Sequence, residues 1–580
     1  MSPDTAPLSK RWDISPKISE GPSEGLKNYQ PIVRQLLFNR GITTAEHAED
    51  YLNHRYQGET SPYVMKGMTD AVERLHQAIQ NHEPLVVYGD YDVDGVTATA
   101  LMVELIEAAG GNVTPYFPDR FKEGYGVNKG ALKKLSDQGA RLVVTVDCGI
   151  RSPREANVAR KLGLDLIISD HHLPEGKLPK AKAVINPKQD GDGYPYKDLA
   201  GVGLAYKMAQ AYLERYPLGG KSADDWLDLV ALGTVADMAP LTGENRMLVA
   251  EGLARIRENK RQGLFSLALV AGLVLEKTTA GDVGFILGPR LNAAGRLQLA
   301  QMAYDLLTEQ DPIHASELAQ KLDVQNKERR RITTEIQARA IELVQQTDGA
   351  SRLIFAIDPS FNAGVVGLAA SRLVEAYYRP AIVGHIDKKE TRASCRSIPE
   401  FNITEALDQC RDLLEHHGGH SAAAGFTVKN THLDELRKKL EAIADDQLSN
   451  LELQPVLHAD AIITLSRDVI IHWPDRMKAF DQFQPFGMGN PEIAFVSRNV
   501  KVKGKKVVGK ESQHLKLTVL SDDGAPFEAI AFRQGHRIDQ LPDRVDLLYI
   551  FEVNEYGGQQ FLQLNVKDIR PAEQGNASGK

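Results

Sequence analysis

The sequence predicts a multidomain α/β protein: a doubly wound parallel-sheet domain, a long connecting helix, a second α/β domain and a C-terminal β-barrel. Three observations carry this. Between Leu85 and His172, short β-branched runs alternate with amphipathic stretches, the pattern of a parallel sheet with crossover helices. Pro312 to Gln346 contains no Gly or Pro after its first residue, which is long for a globular helix and reads as a bridge between domains. After Phe486 the chain alternates polar and apolar residues between Gly- and Asp-rich turns, with no helical repeat, as in a small barrel.

In chain order, residues 1–28 are rich in Pro, Ser and charge and are expected to form a flexible tail. Residues 29–80 form an N-terminal helical region. Within it Tyr29 to Leu52 reads as two helices broken at Gly41, with Thr43 or Thr44 capping the second. The first α/β domain spans 81–310, with strands in LVVYGD, LVVTVDCG and DLIISDHH. The connecting helix takes 311–347. The second α/β domain, 348–450, contains RLIFAIDPSF, GVVGLAASRLVEAYY and PAIVGHID. The barrel takes 451–570, and 571–580 reads as a second tail. There is no internal repeat.

Composition excludes several classes. In a chain of 580 residues, 42% hydrophobic and 25% charged content is ordinary for a globular protein and rules out a mostly disordered one. Lys and Arg number 69 against 77 Asp and Glu, a net charge of −8, which argues against a generally basic, DNA-coating protein but not against a local basic channel. Three cysteines, Cys148, Cys395 and Cys410, are too few and too scattered for a disulfide framework or a zinc cluster. No run approaches the ~18 apolar residues of a membrane span, and the N-terminus lacks an apolar signal core. A soluble, cytoplasmic protein with no membrane partner is expected.

The chemistry gathers at strand ends, where ligands collect in doubly wound sheets. The first strand ends in Gly89-Asp90-Tyr91-Asp92-Val93-Asp94-Gly95. Alone this is a solvated turn with helix caps. The spacing also opens like a calcium loop, but the twelfth residue from Asp90 is Leu101 and not Glu. Repetition changes the reading: the second strand ends in Asp147 and the third in Asp170-His171-His172. Five or more anionic or imidazole groups converging on one sheet edge, with no Lys or Arg in the same motifs, are too costly to bury unless cations neutralise them. Carboxylate-rich, thiolate-free ligands suit Mg²⁺ or Mn²⁺ better than Zn²⁺, and their number suffices for two ions. Asp237, a lone carboxylate ending the apolar helix of LGTVADMAPL, opposes the helix dipole and gains a reason as a further ligand.

These motifs resemble the DHH phosphoesterase superfamily with its DHH-associated partner domain, and within it the RecJ family of single-stranded-DNA-specific exonucleases. GDYDVDGVTA, PDRFKEGYGVN, GVGLAYK, LGTVADMAPL, RLNAAGR, GVVGLAASRL, the later Gly418-Gly419-His420 and FQPFGMGNPEI all resemble that family's motifs in its order, from about Tyr29 to about Asp568. The resemblance implies that Asp90, Asp92, Asp94, Asp147, His171 and Asp237 hold two Mn²⁺ or Mg²⁺ ions, with Asp147 as the bridge. It leaves His172 to touch the scissile phosphate or assist the leaving group, so that His172 and Asp147 are the catalytic pair. Other branches of the superfamily place a His four residues before the middle carboxylate of the first motif. Tyr88 stands there, which fits the exonuclease branch and counts against inorganic pyrophosphatases.

On the substrate side, Arg120 in PDRFKEGYG is a surface arginine by default; its place in a loop on the sheet's active edge, together with the resemblance, implies a phosphate contact. Arg290, Asn292 and Arg296 offer planar donors beside small residues, where a phosphodiester can be held bidentately; otherwise they are a helix cap and surface arginines. In the second α/β domain, Ser371 and Arg372 follow a Gly-rich turn, and Gly418, Gly419 and His420 read as a turn whose amides can cradle phosphate. KVKGKKVVGK, five lysines in ten residues, is a solvated hairpin or the basic groove of a single-strand-binding barrel. Phe532 and Arg533, or Tyr556 and Phe561, would then be the stacking groups. The family places an oligonucleotide-binding fold in this region.

The function expected from this resemblance is 5′→3′ degradation of single-stranded DNA to 5′-mononucleotides by two-metal hydrolysis, in DNA repair and recombination, with single-strand-binding protein and a DNA helicase as partners. Polarity and preference for DNA come from the resemblance alone. The first alternative is a phosphodiesterase for short oligoribonucleotides or cyclic dinucleotides, against which the extra N-terminal helices and the barrel weigh. The second is a non-catalytic replication scaffold, against which the intact ligand set weighs.

Overall fold

The segment read as a tail contains a strand, β1 (Arg11–Ile14). The computed structural model describes residues 9–119, 123–124, 126–297, 300–346, 351–556 and 558–572. These form two compact units: Gly58–Gln454, and the described residues of Ser9–Gln57 and Pro455–Lys580.

In the first unit five strands, β2 (Leu85–Gly89), β3 (Val113–Tyr116), β4 (Leu142–Val146), β5 (Asp165–Ser169) and β6 (Ala183–Ile185), form an all-parallel sheet in the order β3-β2-β4-β5-β6. Every residue of β2 and β4 is buried, which is why LVVYG and LVVTV read as continuous apolar runs: helices cover both faces of a parallel sheet. The helix Val93–Ala108 is buried almost all round, so it carries apolar and small residues on every side. The order reverses at β2, with β3 on one flank and β4 on the other. Such a switch point opens a crevice beyond the strands' carboxyl ends, and Asp90 and Asp147 follow β2 and β4 there.

The helix Pro312–Gln346 puts Ala315, Leu318, Ala319 and Leu322 into the core of the first sheet's domain. Further along, it puts Ile336 and Ala340 into a core beneath a second sheet. That sheet is mixed: β7 (Ile354–Ile357), β8 (Ala381–Ile386), β9 (Glu390–Arg396), β10 (Leu414–His420) and β11 (Ala423–Lys429) take the order β10-β11-β9-β8-β7, and only β7 and β8 pair in parallel.

In the second unit, β1 pairs in parallel with β12 (Val456–Ala459). Trp12 Nε1 donates to Asp568 Oδ2 at 2.8 Å, and Arg570 lies 4.2 Å over the Trp12 ring. The backbone N–H of Ile18 and the carbonyl of Pro16 are both held by Gln35, at 2.8 and 3.0 Å. The expectation of a free tail over 1–28 is therefore corrected for its described part: four extended residues gain a partner about four hundred residues downstream. Helices Pro31–Asn39 and Ala45–Leu52 follow, the second capped by Thr44, whose side chain accepts from His47 N at 3.3 Å. Their apolar residues Leu36 and Leu37 share a core with Phe480 and Phe483, whereas Met68–Gln80 packs in the first unit. Residues 29–80 thus divide between the units.

The barrel comprises β14 (Ala494–Val508), β15 (His514–Leu520), β16 (Pro526–Ala531), β17 (Arg544–Tyr556) and β18 (Gln559–Pro571), with the short β13 (Ala461–Ile462) pairing in parallel with β14 beside it. Pairing of β14 with β17 closes it, and β16 and β18 run parallel, the topology of an oligonucleotide-binding barrel. FQPFGMGNPEI serves this fold. Asn490 is buried, its amide donates to the carbonyls of Phe483 and Pro485 at 2.9 and 2.8 Å, and its Oδ1 accepts from Tyr51 Oη at 2.9 Å.

Candidate metal centre

The loop after β2 turns directly into a helix. Asp92 is the N-cap of Val93–Ala108 and accepts from Gly95 N at 3.1 Å. Asp90 and Asp94 flank it, both buried. Asp94 is gripped from across the site: its two oxygens accept from Gly201 N at 2.6 Å and Val202 N at 2.8 Å, at the start of the helix Gly201–Arg215. Gly201 is required for this approach, since a Cβ there would lie 2.6 Å from Asp147 Cβ.

Asp147 follows β4 with φ 60°, in the left-handed region, where a non-glycine residue carries strain that the surroundings must hold. Its N–H donates to Ser169 O at 3.0 Å, and the residue is 2% exposed. His171 Nε2 stands 3.2 Å from Asp147 Oδ1 and 3.9 Å from carboxylate oxygens of Asp94 and of Asp237. Both Asp147 Oδ1 and His171 Nε2 are buried without a hydrogen-bond partner among the described residues. Among the described residues three ligand-type groups result, with ligand atoms within 4.8 Å of one another in each: Asp90, Asp92 and Asp147; Asp94, His171 and Asp237; Asp147, His171 and His172. Asp147 and His171 tie them together.

The electrostatics suit a cation. Burial, ahead of the negative charge on Asp92, raises Asp94 to about 7. Burial, ahead of Asp94 and Asp92, raises Asp237 to about 9. Burial, ahead of four neighbouring acids, pushes Asp147 well above the carboxylate range. The imidazole of His171 is driven down to about 3 by burial and then by His172, which keeps it neutral with a lone pair to give. Carboxylates that repel one another and orphaned ligand atoms in a largely buried cluster fit hard divalent ions.

His172 differs. Burial alone would lower it, but the hydrogen bond and charge of Asp170, with Asp92 and Asp94, outweigh burial and hold it above its ordinary value. Its Nδ1 pairs with Asp170 Oδ1 at 2.8 Å. Asp170 also accepts from the N–H of Ile150 at 2.8 Å and of His172 at 3.0 Å, and Asn186 Nδ2 donates to His172 O at 2.8 Å. The sequence reading gave no role to Asp170 or Asn186. Asp170 was visible only as a member of its triplet.

The proposed substrate residues scatter more. Arg120 lies outside the described residues. Arg290 is not turned to the acid ring: its Nε donates to Asp323 on the connecting helix at 2.9 Å and its Nη1 to Ile286 O at 2.8 Å. Asn292 Oδ1 accepts from Val93 N at 3.1 Å, so it fastens the Asp92–Asp94 turn. Arg296 Nη1 reaches Gly364 O at 3.5 Å. Ser371 Oγ donates to Gly367 O one turn back in the helix Val366–Tyr377, and Arg372 Nη1 donates to Thr334 Oγ1, both at 3.1 Å. Gly418, Gly419 and His420 form no turn. They lie in edge strand β10 opposite Gly425, Ala424 and Ala423, and a Cβ on Gly419 would come within 2.4 Å of Ala424 Cα.

Comparison with known proteins gives the family. Residues 84–234 match the DHH family N-terminal domain, 349–446 the DHHA1 domain and 472–568 the RecJ OB domain. The single-stranded-DNA-specific exonuclease RecJ of Bacillus subtilis (strain 168) is 39% identical over 547 residues, which cover 94% of this chain and 68% of that one. Its counterpart in Dickeya dadantii is 34% identical over 564 residues, 93% of this chain and 96% of that one. The chain belongs to the RecJ family. The crystal structure of RecJ from Thermus thermophilus in complex with Mn²⁺ superposes with a TM-score of 0.82 at 28% identity, covering 97% of this chain and 80% of that RecJ. The RecJ OB match falls on the barrel, and the DHH match spans the strand ends that carry Asp90, Asp147 and His171.

Proposed function

We propose that this protein is a metal-dependent exonuclease that degrades single-stranded DNA from the 5′ end to 5′-mononucleotides. The observation that carries the reading is the buried ring of Asp90, Asp92, Asp94, Asp147, His171 and Asp237, with Asp147 Oδ1 and His171 Nε2 orphaned at its centre, in a chain of the RecJ family. Mn²⁺ or Mg²⁺ suits these oxygen-rich ligands. Asp90 and Asp92 would hold one ion, Asp94, His171 and Asp237 the other, and Asp147 would bridge them. Ions bound there supply the Lewis acidity that activates water and offsets charge on the phosphoryl oxygens.

The chain's own residues do the rest. Gly201 and Val202 N–H groups fix Asp94, and Asn292 fixes the turn that carries Asp92 and Asp94, so the ligands are set before substrate arrives. Asp170 holds Nδ1 of a protonation-prone His172, which directs Nε2 to the departing 3′-oxygen as a proton donor. Arg296, Ser371, Arg372 and the Gly418–His420 strand are proposed to line the path of the strand. The barrel adds a second grip. Lys501, Lys503 and Lys506 and the aromatic rings of Phe532 and Phe561 are exposed, a basic surface with stacking groups, whereas Lys505 is committed to the carbonyls of Ile538 and Leu541. A cytoplasmic role in DNA repair and recombination, beside single-strand-binding protein and a DNA helicase, completes the reading. Among the described residues no helix is long and apolar enough to cross a membrane.

The test uses a long single strand labelled at either end, with Mn²⁺. Immediate release of the 5′ label as mononucleotide, gradual shortening of the 3′-labelled strand and loss of both with chelator are expected. Hydrolysis of a dinucleotide with the long strand left intact would move the assignment to a small-substrate phosphodiesterase.

A further inference from the structure

Arg329 lies on the face of the connecting helix that carries Leu322, Asn326, Thr333 and Ile336 inward. It is half-buried, and its Nε is buried with no hydrogen-bond partner among the described residues. The neighbouring acids of that helix are committed elsewhere. Asp323 holds Arg290 and Lys327 at 2.9 and 2.8 Å; Glu328 and Glu335 both hold Arg331; Glu342 holds Arg339 at 3.0 Å. What surrounds Arg329 is cationic: burial first, then the charges of Arg330 and Arg372, lowers it to about 10. Arg372 projects from the helix Val366–Tyr377 and reaches Thr334 on the connecting helix, so guanidinium groups from two helices gather where those helices pack. Next to them Lys327, Arg330, Arg331, Thr334 and Glu335 line an open, shallow cavity.

A guanidinium removed from water without an anion is costly. Its planar fork of donors matches a phosphate, which it holds bidentately. We propose that Arg329, with Arg330 and Arg372 beside it, receives a backbone phosphate of the single strand, which makes the connecting helix a wall of the substrate groove as well as a link between domains. This rests on the nuclease reading above and adds to it a contact from an element that the sequence marks only as a spacer.

The experiment compares the full-length protein with Arg329→Gln and Arg329→Lys, on oligothymidylate with Mn²⁺ across a salt series. Arg329→Gln is expected to raise KM about tenfold with kcat within about twofold, and to flatten the slope of log affinity on log salt by about 0.7, the loss of one phosphate contact on a single strand. Arg329→Lys should recover the slope but only part of the affinity, because an ammonium is a point charge. Arg329→Gln should melt at or above the wild-type temperature, since no acid among the described residues loses a partner. An unchanged KM and slope overturns the proposal. So does a variant that fails to fold, or one whose stabilisation by Mn²⁺ is lost, because either would give Arg329 a structural duty. If the wild type leaves oligothymidylate intact, the nuclease reading fails on its own. Arg329 is then judged by fluorescence anisotropy with labelled oligothymidylate in chelator: weaker binding by Arg329→Gln supports the contact and equal binding refutes it.

Discussion

Mg²⁺ should stabilise the protein more at about pH 9 than at about pH 6. Without a cation, burial and like charges raise Asp94 to about 7 and Asp237 to about 9 from an ordinary 3.8. A carboxyl whose folded pKa lies above its unfolded one contributes stability that is present below the unfolded pKa and lost as pH rises through the folded one. For Asp94 the displacement is 7 − 3.8 = 3.2 units. At about 1.4 kcal/mol per unit that amounts to about 4 kcal/mol, lost between about pH 4 and pH 7. The loss from Asp237 continues to about pH 9, and Asp147 acts in the same direction. A divalent ion replaces the protons and removes the penalty, so its binding releases protons and strengthens with pH. Thermal melts across this range, in Mg²⁺ and in chelator, provide the assay. The chelator curve should fall as pH rises and the gap between the curves should widen. A gap that stays constant or narrows would refute the reasoning.

Asp147→Asn keeps the side chain's shape and tolerates the left-handed backbone, so fold and single-strand binding should persist while kcat falls by about a thousandfold or more; substantial turnover with Mn²⁺ would reject Asp147 as the bridge. His171→Ala should weaken Mn²⁺ binding by titration calorimetry, whereas His172→Ala should lower kcat with metal affinity nearly kept. Equal affinity losses would contradict that division. A fragment of residues 58–454 should fold, bind Mn²⁺ and cleave short oligonucleotides, with weaker and less salt-dependent binding of long single strands than the full chain, measured by anisotropy. Removing only 455–580 should give an aggregating product, because Leu36 and Leu37 would lose the core they share with Phe480 and Phe483.

What the sequence made legible followed from repetition. Asp90, Asp147 and His171 follow strand ends, Asp92 and Asp94 open the helix after the first of them, and acids recurring without counter-charge are interpretable before any coordinates exist. The parallel sheet and the barrel were legible too, because burial on both faces leaves continuous apolar runs and burial on one face leaves an alternation. Residues whose role depends on what faces them were not. Arg290 beside small residues looks identical whether it meets a phosphate or Asp323, and Asn292 gives no sign that it fastens Val93. Gly418-Gly419 suggests a turn, yet Gly419 is needed because a neighbouring strand passes too close for a Cβ. Arg11–Ile14 is too short to show alternation, and its partner Val456–Ala459 lies far along the chain. That Arg329 Nε has no hydrogen-bond partner among the described residues emerges only once the neighbouring acids have been placed.

The central claim is that one acid ring holds two catalytic ions about a shared carboxylate. Anomalous difference density from a crystal grown with Mn²⁺ tests it most directly. Two peaks about 3.5–4 Å apart are expected, both touching Asp147, one also bound by Asp90 and Asp92 and the other by Asp94, His171 and Asp237. A single peak, or two peaks with Asp147 bound to neither, would contradict it.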